Sequence, residues 1–350
     1  MMVTTLHFAV TTDTLIRVLI LGFLGFLLSM VVTPLYTTAA YKWQWWKKPR
    51  AKTVTGEAAK VFTALHAEKH KRHIPTMAGV VVVVAVVLVT SLLNLSRSET
   101  WLPLAAFAGS ALVGLIDDII NIRGDGSGVA GLPSKIKLLL ITLVALLGGL
   151  FFYYKLGVST LHVPLMHSQI HIGWLIVPLF VLVVVATANA VNISDGLDGL
   201  AGGLTATAFG VYAIIAFIEQ KYGVAGFCMT MVGGLLSYTW FNIYPARFFM
   251  GDVGSFAFGT ALGVVAMLTN TVLLLPVIGI VFVAEAGSVI LQIASKKLRH
   301  GKKIFKISPI HHHFEASGWP ETKVTMRFWV IGQVAAVLGL IMFLIGRYVS

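Results

Sequence analysis

Charge is scarce in this chain. Of its 350 residues, 11% are Asp, Glu, Lys or Arg, against ~25% in ordinary soluble domains, too few to clothe a water-soluble fold of this size. Cysteine is nearly absent, and the single Cys228 excludes an intramolecular disulfide framework. Acids are the minority charge, 14 against 26 Lys and Arg, for a net charge of +12. No aromatic-basic module accompanies that excess, so nucleic acid is not expected as a partner. A membrane surface or an anionic substrate accounts for it instead. No A-x-A cleavage site follows the first apolar stretch, which Arg17 interrupts, so that stretch reads as a retained span. No internal repeat is evident, which disfavours a transporter built from repeated halves.

What the chain does contain is apolar: 57% hydrophobic residues with a mean hydropathy of +0.88. A hydrocarbon core takes ~20 apolar residues per helical span, which gives about ten spans. The runs fall near 15–37, 77–95, 101–116, 136–154, 173–191, 200–218, 223–241, 254–268, 272–294 and 325–348. They are continuously apolar rather than alternating, which excludes a β-barrel. The expectation is an all-α polytopic integral membrane protein, one membrane domain over 1–350. All Lys and Arg except Arg17, Arg97, Lys155, Lys221 and Arg347 fall on one side of this topology. By the positive-inside rule that side is cytoplasmic and both termini lie outside. The cytoplasmic loops are then about 38–76, 117–135, 192–199, 242–253 and 295–324. Asp117, Asp118, Asp125, Asp195, Asp198 and Asp252 sort to the same side, whereas the longest opposite connection, 155–172, has only His162, His167 and His171 as notable polar groups.

Several segments there carry chemistry. Asp117-Asp118 ends the third span, where ionised carboxylates are costly unless they meet water, a cation or a partner. In 189–199, Asn192, Asp195 and Asp198 recur every third residue and make one polar face if helical, with Gly196 and Gly199 allowing close backbone approach; the alternative is a Gly-rich turn between two spans with capping Asp. Asp252 opens the eighth span, either as an N-cap or as a hard oxygen ligand for Mg²⁺ beside substrate phosphates. Phe249 offers a ring to a base or an anchor at the interface. His311, His312 and His313 are consecutive, so zinc binding by all three is strained, and imidazoles beside Lys302, Lys303 and Lys306 suit an anion better. The basic run from Lys69 to Arg72 before Thr76 is chiefly a topology signal. Glu285, inside the ninth span, is a functional candidate with no partner evident. Carboxylates, a divalent cation and cationic side chains are the apparatus of phosphoryl transfer, and a site at the bilayer edge suits one soluble and one lipid substrate.

The segments Asn189–Ala201, Phe249–Ser255 and Pro309–Glu315, with Asp117-Asp118 and Pro75-Thr76-Met77 in the matching order, resemble the phospho-N-acetylmuramoyl-pentapeptide transferase family. That family lies within the polyprenyl-phosphate N-acetylhexosamine-1-phosphate transferase superfamily. The resemblance implies a ten-span, multi-pass enzyme of the bacterial cytoplasmic (inner) membrane, usually a homodimer. It implies transfer of phospho-N-acetylmuramoyl-pentapeptide from UDP-MurNAc-pentapeptide to undecaprenyl phosphate, giving lipid I and UMP, with Mg²⁺ required. By the same resemblance Asp252 holds the Mg²⁺, Asp117, Asp118, Lys135 and His311 join it in catalysis, and Asn192, Asp195, Gly196, Leu197, Asp198, Asn242 and Phe249 surround the nucleoside. His312 and His313 face the diphosphate, and Lys71 and Thr76 line the cleft. The chain departs from the family pattern at Asn121 and Ile141, where Lys and Gln are usual.

Direct attack by the lipid phosphate is the expected route, because that phosphate is already largely dianionic at pH 7. A two-step route through a phosphoaspartate is its rival. An N-acetylglucosamine-1-phosphate transferase for another surface glycan is the nearest alternative activity, and the triple-His segment argues against it.

Overall fold

The computed structural model describes residues 12–46, 72–124, 131–164 and 169–348. Lys71, Asp125, His167 and most of the 38–76 loop lie outside the described residues. The chain runs through α1 (Thr12–Lys42), α2 (Gly79–Leu93), α3 (Trp101–Arg123), α4 (Ser134–Tyr154), a short hairpin of β1 (Thr160–His162) and β2 (Gln169–His171), then α5 (Ile176–Ser194) and α6 (Leu200–Ile218). It continues through α7 (Tyr222–Asn242), α8 (Gly251–Leu268), α9 (Leu275–Ile278), α10 (Ile280–Leu298), the short α11 (Ile310–Glu315) and α12 (Glu321–Tyr348). The polytopic helical fold is as expected, with a three-residue antiparallel ladder, Thr160 opposite His171, as a minor addition.

Among the described residues eight helices are long and apolar enough to cross a bilayer, or nine if the bent pair 272–298 counts as one span. The remaining apolar helix, α2, has 15 residues. Its Val-rich sequence would suit a strand in water. In hydrocarbon, however, the backbone must satisfy its own hydrogen bonds, and an unpaired strand cannot. The expected ninth span is broken: Val272–Ile278 and Ile280–Leu298 meet at 83°, with Pro276 denying a backbone donor just before Gly279.

The centre of the bundle is α8, buried along nearly its whole length. It packs against α2, α3 and α5. Between helices in lipid there is little hydrophobic driving force, so small residues that admit close van der Waals contact drive association. Gly114 of α3 is such a contact, since a Cβ there would collide with the Asp252 carbonyl. Thr260 donates to Ser110 Oγ at 2.8 Å deeper in the same pair. In contrast, α1, α4 and α12 leave much of their apolar surface exposed, as lipid-facing helices do.

The two ends of the bundle differ in chemistry. At one end Lys221 Nζ donates to the Leu268 carbonyl at 2.8 Å, Arg17 to that of Leu93 at 3.0 Å, and Arg347 pairs with Glu219. Arg97, between α2 and α3, and Lys155, capping α4, complete the five cations expected there. The opposite end gathers the C-terminal ends of α3, α5 and α7 with the N-terminal ends of α4, α6 and α8, and this end carries the candidate site.

Candidate functional site

Three carboxylates define the site. Helix α3 runs two turns past the end expected for the third span, so Asp117 and Asp118 are helical, buried residues rather than part of a loop. Residues adjacent on a helix point about 100° apart, and the two carboxylates accordingly have different partners. Asp117 Oδ1 accepts the Leu132 N–H at 2.5 Å and Oδ2 faces Lys137 Nζ at 3.3 Å. Asp118 Oδ2 accepts the Val253 N–H at 3.0 Å, placing a negative charge at the N-terminus of α8, where the helix dipole favours it. Asp118 thus supplies the helix-terminal contact considered for Asp252, whereas Asp252 lies in the first turn beyond Met250. Its Oδ2 meets Lys137 Nζ at 3.1 Å.

The doublet and Asp252 do converge: Asp117, Asp118 and Asp252 each offer a ligand atom, all within 4.8 Å of one another. Hard carboxylate oxygens clustered this way suit Mg²⁺. The ammonium of Lys137, bridging two of them, stands where positive charge is needed. Gly251 makes the convergence possible. Its φ of 77° is the left-handed region, and a Cβ would lie 2.5 Å from Asp118 Oδ2 and 2.8 Å from Met77 N.

The lysine that sequence reasoning selected was Lys135, and the structure leaves it exposed. Two positions along α4, and so about 200° around it, Lys137 turns inward. That spacing was visible in Lys135-Ile136-Lys137, but which lysine faced the acids depended on the rotation of α4.

Thr76 reaches the site through backbone pairing. Phe249 N–H donates to Pro75 O at 2.8 Å, Ala78 N–H to Phe249 O at 3.0 Å, and Gly79 N–H to Met250 O at 2.9 Å. These bonds hold 75–79 alongside the approach to Asp252. Tyr36 Oη donates to the Thr76 carbonyl at 2.7 Å. Phe249 is half-buried, while its neighbour Phe248 is buried against Tyr36, Tyr238 and Phe241.

The polar face expected from Asn192, Asp195 and Asp198 does not form. Helix α5 stops at Ser194, and the chain turns through Gly199 at φ 78°. Asn192 Nδ2 instead donates to Ser255 Oγ at 2.8 Å, one turn along α8 from Gly251. Asp198 is buried, with its carboxylate accepting the Ala246 N–H at 2.9 Å and its own N–H donating to Glu321 at 2.7 Å. Asn242 Oδ1 accepts the Gly199 N–H at 2.9 Å while its Nδ2 donates to Phe248 O. Leu197 is in the core. Asp198, Asn242 and Leu197 therefore hold the 195–199 turn, leaving Asp195 and Gly196 partly exposed on it.

The three histidines separate. His311 is fully buried, its Nδ1 2.8 Å from Glu285 Oε2, and its Nε2 abuts Gly196 so closely that a Cβ there would overlap the ring. Glu285 thus has the partner that sequence reasoning did not find, 26 positions away. His312 Nδ1 meets Glu315 Oε2 at 2.6 Å. Burial and the neighbouring His311 push the His312 pKa below the usual histidine range, against the pull of Glu315. His313 Nδ1 accepts the Lys306 N–H at 3.1 Å, its ring packed on Phe305 and Phe314. Three rings with three separate partners do not form one zinc site.

The result is a continuous strip at one end of the bundle, from Lys137 and the three carboxylates, through Ser255 and Asn192, to Gly196 and His311. Comparison with known proteins places the chain in a lineage. A glycosyl transferase family 4 model matches residues 100–270. The chain is 37% identical over 349 residues to the phospho-N-acetylmuramoyl-pentapeptide-transferase of Chloroflexus aggregans, covering 96% of this chain and 92% of that protein. It is 37% identical over 322 residues to the protein of the same name from a Geobacillus species, covering 91% and 95%. It is 40% identical over 289 residues to that of Syntrophus aciditrophicus, covering 77% and 80%. At such identity over nearly the full length, the chain belongs to the phospho-N-acetylmuramoyl-pentapeptide transferase family.

Proposed function

We propose that this protein transfers phospho-N-acetylmuramoyl-pentapeptide from its UDP carrier to undecaprenyl phosphate, releasing UMP and leaving lipid I in the membrane. The observation that carries this reading is the convergence of Asp117, Asp118 and Asp252 within 4.8 Å at one end of a membrane helix bundle, in a chain of this family. The lipid phosphate oxygen attacks the sugar-linked phosphorus. A new P–O bond forms, and the bond to the bridging oxygen breaks with its electron pair leaving on UMP.

Asp117, Asp118 and Asp252 would hold Mg²⁺, which neutralises diphosphate charge when bound. Their hard oxygen donors fit it, and Lys137 already sets an ammonium against Asp117 and Asp252. The protein's own residues do the rest. Lys137 is close enough to turn from the carboxylates to a phosphate oxygen. The Asp118 contact with the α8 N-terminus fixes the first turn that carries Asp252. The turn 195–199, which follows Asn192, offers backbone groups to the uridine, and the half-buried Phe249 offers a ring. Because the attacking phosphate is already largely dianionic, alignment and charge neutralisation matter more than a strong base.

The same proposal places this end of the bundle and its basic loops in the cytoplasm, both termini outside, and the chain as one domain of a homodimer in a bacterial inner membrane. The test is an assay of purified protein with UDP-MurNAc-pentapeptide, identifying the products by mass. UMP and a lipid-linked phosphosugar that form only when undecaprenyl phosphate is present support the proposal. UMP released equally without the lipid contradicts it.

A further inference from the structure

Glu285 lies in the α10 half of the broken span with no exposed surface, and its Oε2 lies 2.8 Å from Nδ1 of His311, which is equally buried. The carboxylate therefore holds the imidazole that the first turn of α11 carries. On the far side of the ring, Nε2 meets the Gly196 turn. His312 also lies close to the ring, centroid to centroid 4.1 Å and itself engaged by Glu315, and Asp195 precedes Gly196 in the turn that Nε2 faces.

A buried pair of this kind is stable only when its net charge is zero, because an uncompensated charge without solvent is costly. Two arrangements satisfy that and leave no stranded O–H. In one, a carboxylate faces an imidazolium, and both ring nitrogens carry hydrogen. In the other, the carboxylic acid donates to Nδ1, and the single ring proton is on Nε2. A bare Nε2 requires either a carboxylate beside a neutral imidazole, which buries a net negative charge, or a carboxylic acid that accepts from Nδ1–H and strands its own hydroxyl hydrogen on Oε1, which has no partner among the described residues. Both fully paired neutral arrangements thus leave a hydrogen on Nε2.

We infer that Glu285 is the positioning residue for His311, holding the ring by Nδ1 so that Nε2–H faces the Gly196 turn and sets that turn, against which the nucleotide substrate docks. This inference rests on the proposed transfer reaction. It adds a role for a carboxylate that never touches substrate, and it explains why an acid persists inside a membrane helix.

The test compares Glu285→Gln and Glu285→Met in wild-type and His311→Asn backgrounds, reading kcat/KM for UDP-MurNAc-pentapeptide and KM for undecaprenyl phosphate. Loss of one well-placed hydrogen bond to a charged group corresponds to about tenfold. Glu285→Met is expected to lower kcat/KM for the nucleotide substrate about tenfold, and Glu285→Gln, which keeps a hydrogen bond to Nδ1, by less. Both are expected to leave KM for the lipid within about twofold, and neither to cost more than about twofold once His311 is Asn, as non-additivity within one unit requires. Equal losses in both backgrounds, or equal changes toward both substrates, overturn the inference.

A second measurement needs neither turnover nor a Glu285 variant. In wild-type protein labelled with ¹⁵N-histidine, the His311 signal is assigned by its loss in His311→Asn, and its Nε2 is expected to show one-bond coupling to hydrogen. A bare Nε2 overturns the inference. Wild-type protein that releases no UMP would instead sink the transfer reaction, with the ring proton still deciding the positioning role.

Discussion

Replacing Lys137 separates its two roles, as a cation inside the acid cluster and as a group available to phosphate. In Lys137→Met the ammonium 3.3 Å from Asp117 and 3.1 Å from Asp252 is lost, leaving three carboxylates with ligand atoms no more than 4.8 Å apart. Two unit charges at that separation repel by about 1 kcal/mol at the dielectric constant of water and by about 3.5 kcal/mol at an effective value near 20. The Lys137 side chain is partly exposed and can swing toward solvent, so the lower figure is the better guide. A divalent cation entering the wild-type site must displace or neighbour this ammonium, whereas in the variant it meets only acids. Mg²⁺ should therefore bind the variant more tightly by about 1 kcal/mol, about fivefold, even as turnover falls. The assay is thermal unfolding in detergent across an Mg²⁺ titration, paired with UMP release. Equal Mg²⁺ midpoints in wild type and Lys137→Met, or undiminished turnover in the variant, would refute the reasoning.

Other outcomes follow from the site's geometry. Asp198→Ala, which leaves the Ala246 N–H without its acceptor, should lower stability by about 1–3 kcal/mol; unchanged melting with lost activity would make Asp198 a substrate contact instead. Gly196→Ala drives a methyl into the His311 ring and should depress turnover while the overall melting temperature moves little, and wild-type activity in that variant would contradict the packing. His312 has a folded-state pKa below its unfolded value, so the unfolded chain binds the extra proton. Its contribution to stability is full above the ordinary histidine range and is lost as pH falls through it. Melting midpoints at pH 7.5 and 5.5 should therefore drop more in wild type than in His312→Gln, and equal drops would contradict the assignment. Incubation with radiolabelled nucleotide substrate alone should leave no phosphoaspartate on the protein, and a trapped acyl phosphate at Asp117 or Asp118 would replace direct attack by a two-step route.

Much of this was readable from residue order because bilayer physics is so restrictive. A run such as Val80–Val89 can only be helix in lipid, so hydropathy located the helices without help from propensity. The five sparse cations Arg17, Arg97, Lys155, Lys221 and Arg347 marked one end of the bundle for the same reason. The carboxylates were legible because buried acids need a purpose. What escaped depended on rotation and distance. Lys135 and Lys137 are equivalent in sequence, and only the orientation of α4 distinguishes them. Glu285 found its partner across the span break and the loop before α11, a contact no local pattern encodes. At 192–199 the sequence left a helical polar face and a Gly-rich turn both open, and the structure takes the turn. Pro276 with Gly279 signalled the 83° break.

The most direct measurement is UMP release titrated with Mg²⁺ in wild type and in Asp117→Asn, Asp118→Asn and Asp252→Asn side by side. A saturable Mg²⁺ requirement in wild type and a loss of about 100-fold or more in each variant is the outcome that a single carboxylate cluster working on one diphosphate demands. A wild-type rate that ignores Mg²⁺, or any one of the three variants turning over at full speed, would contradict it.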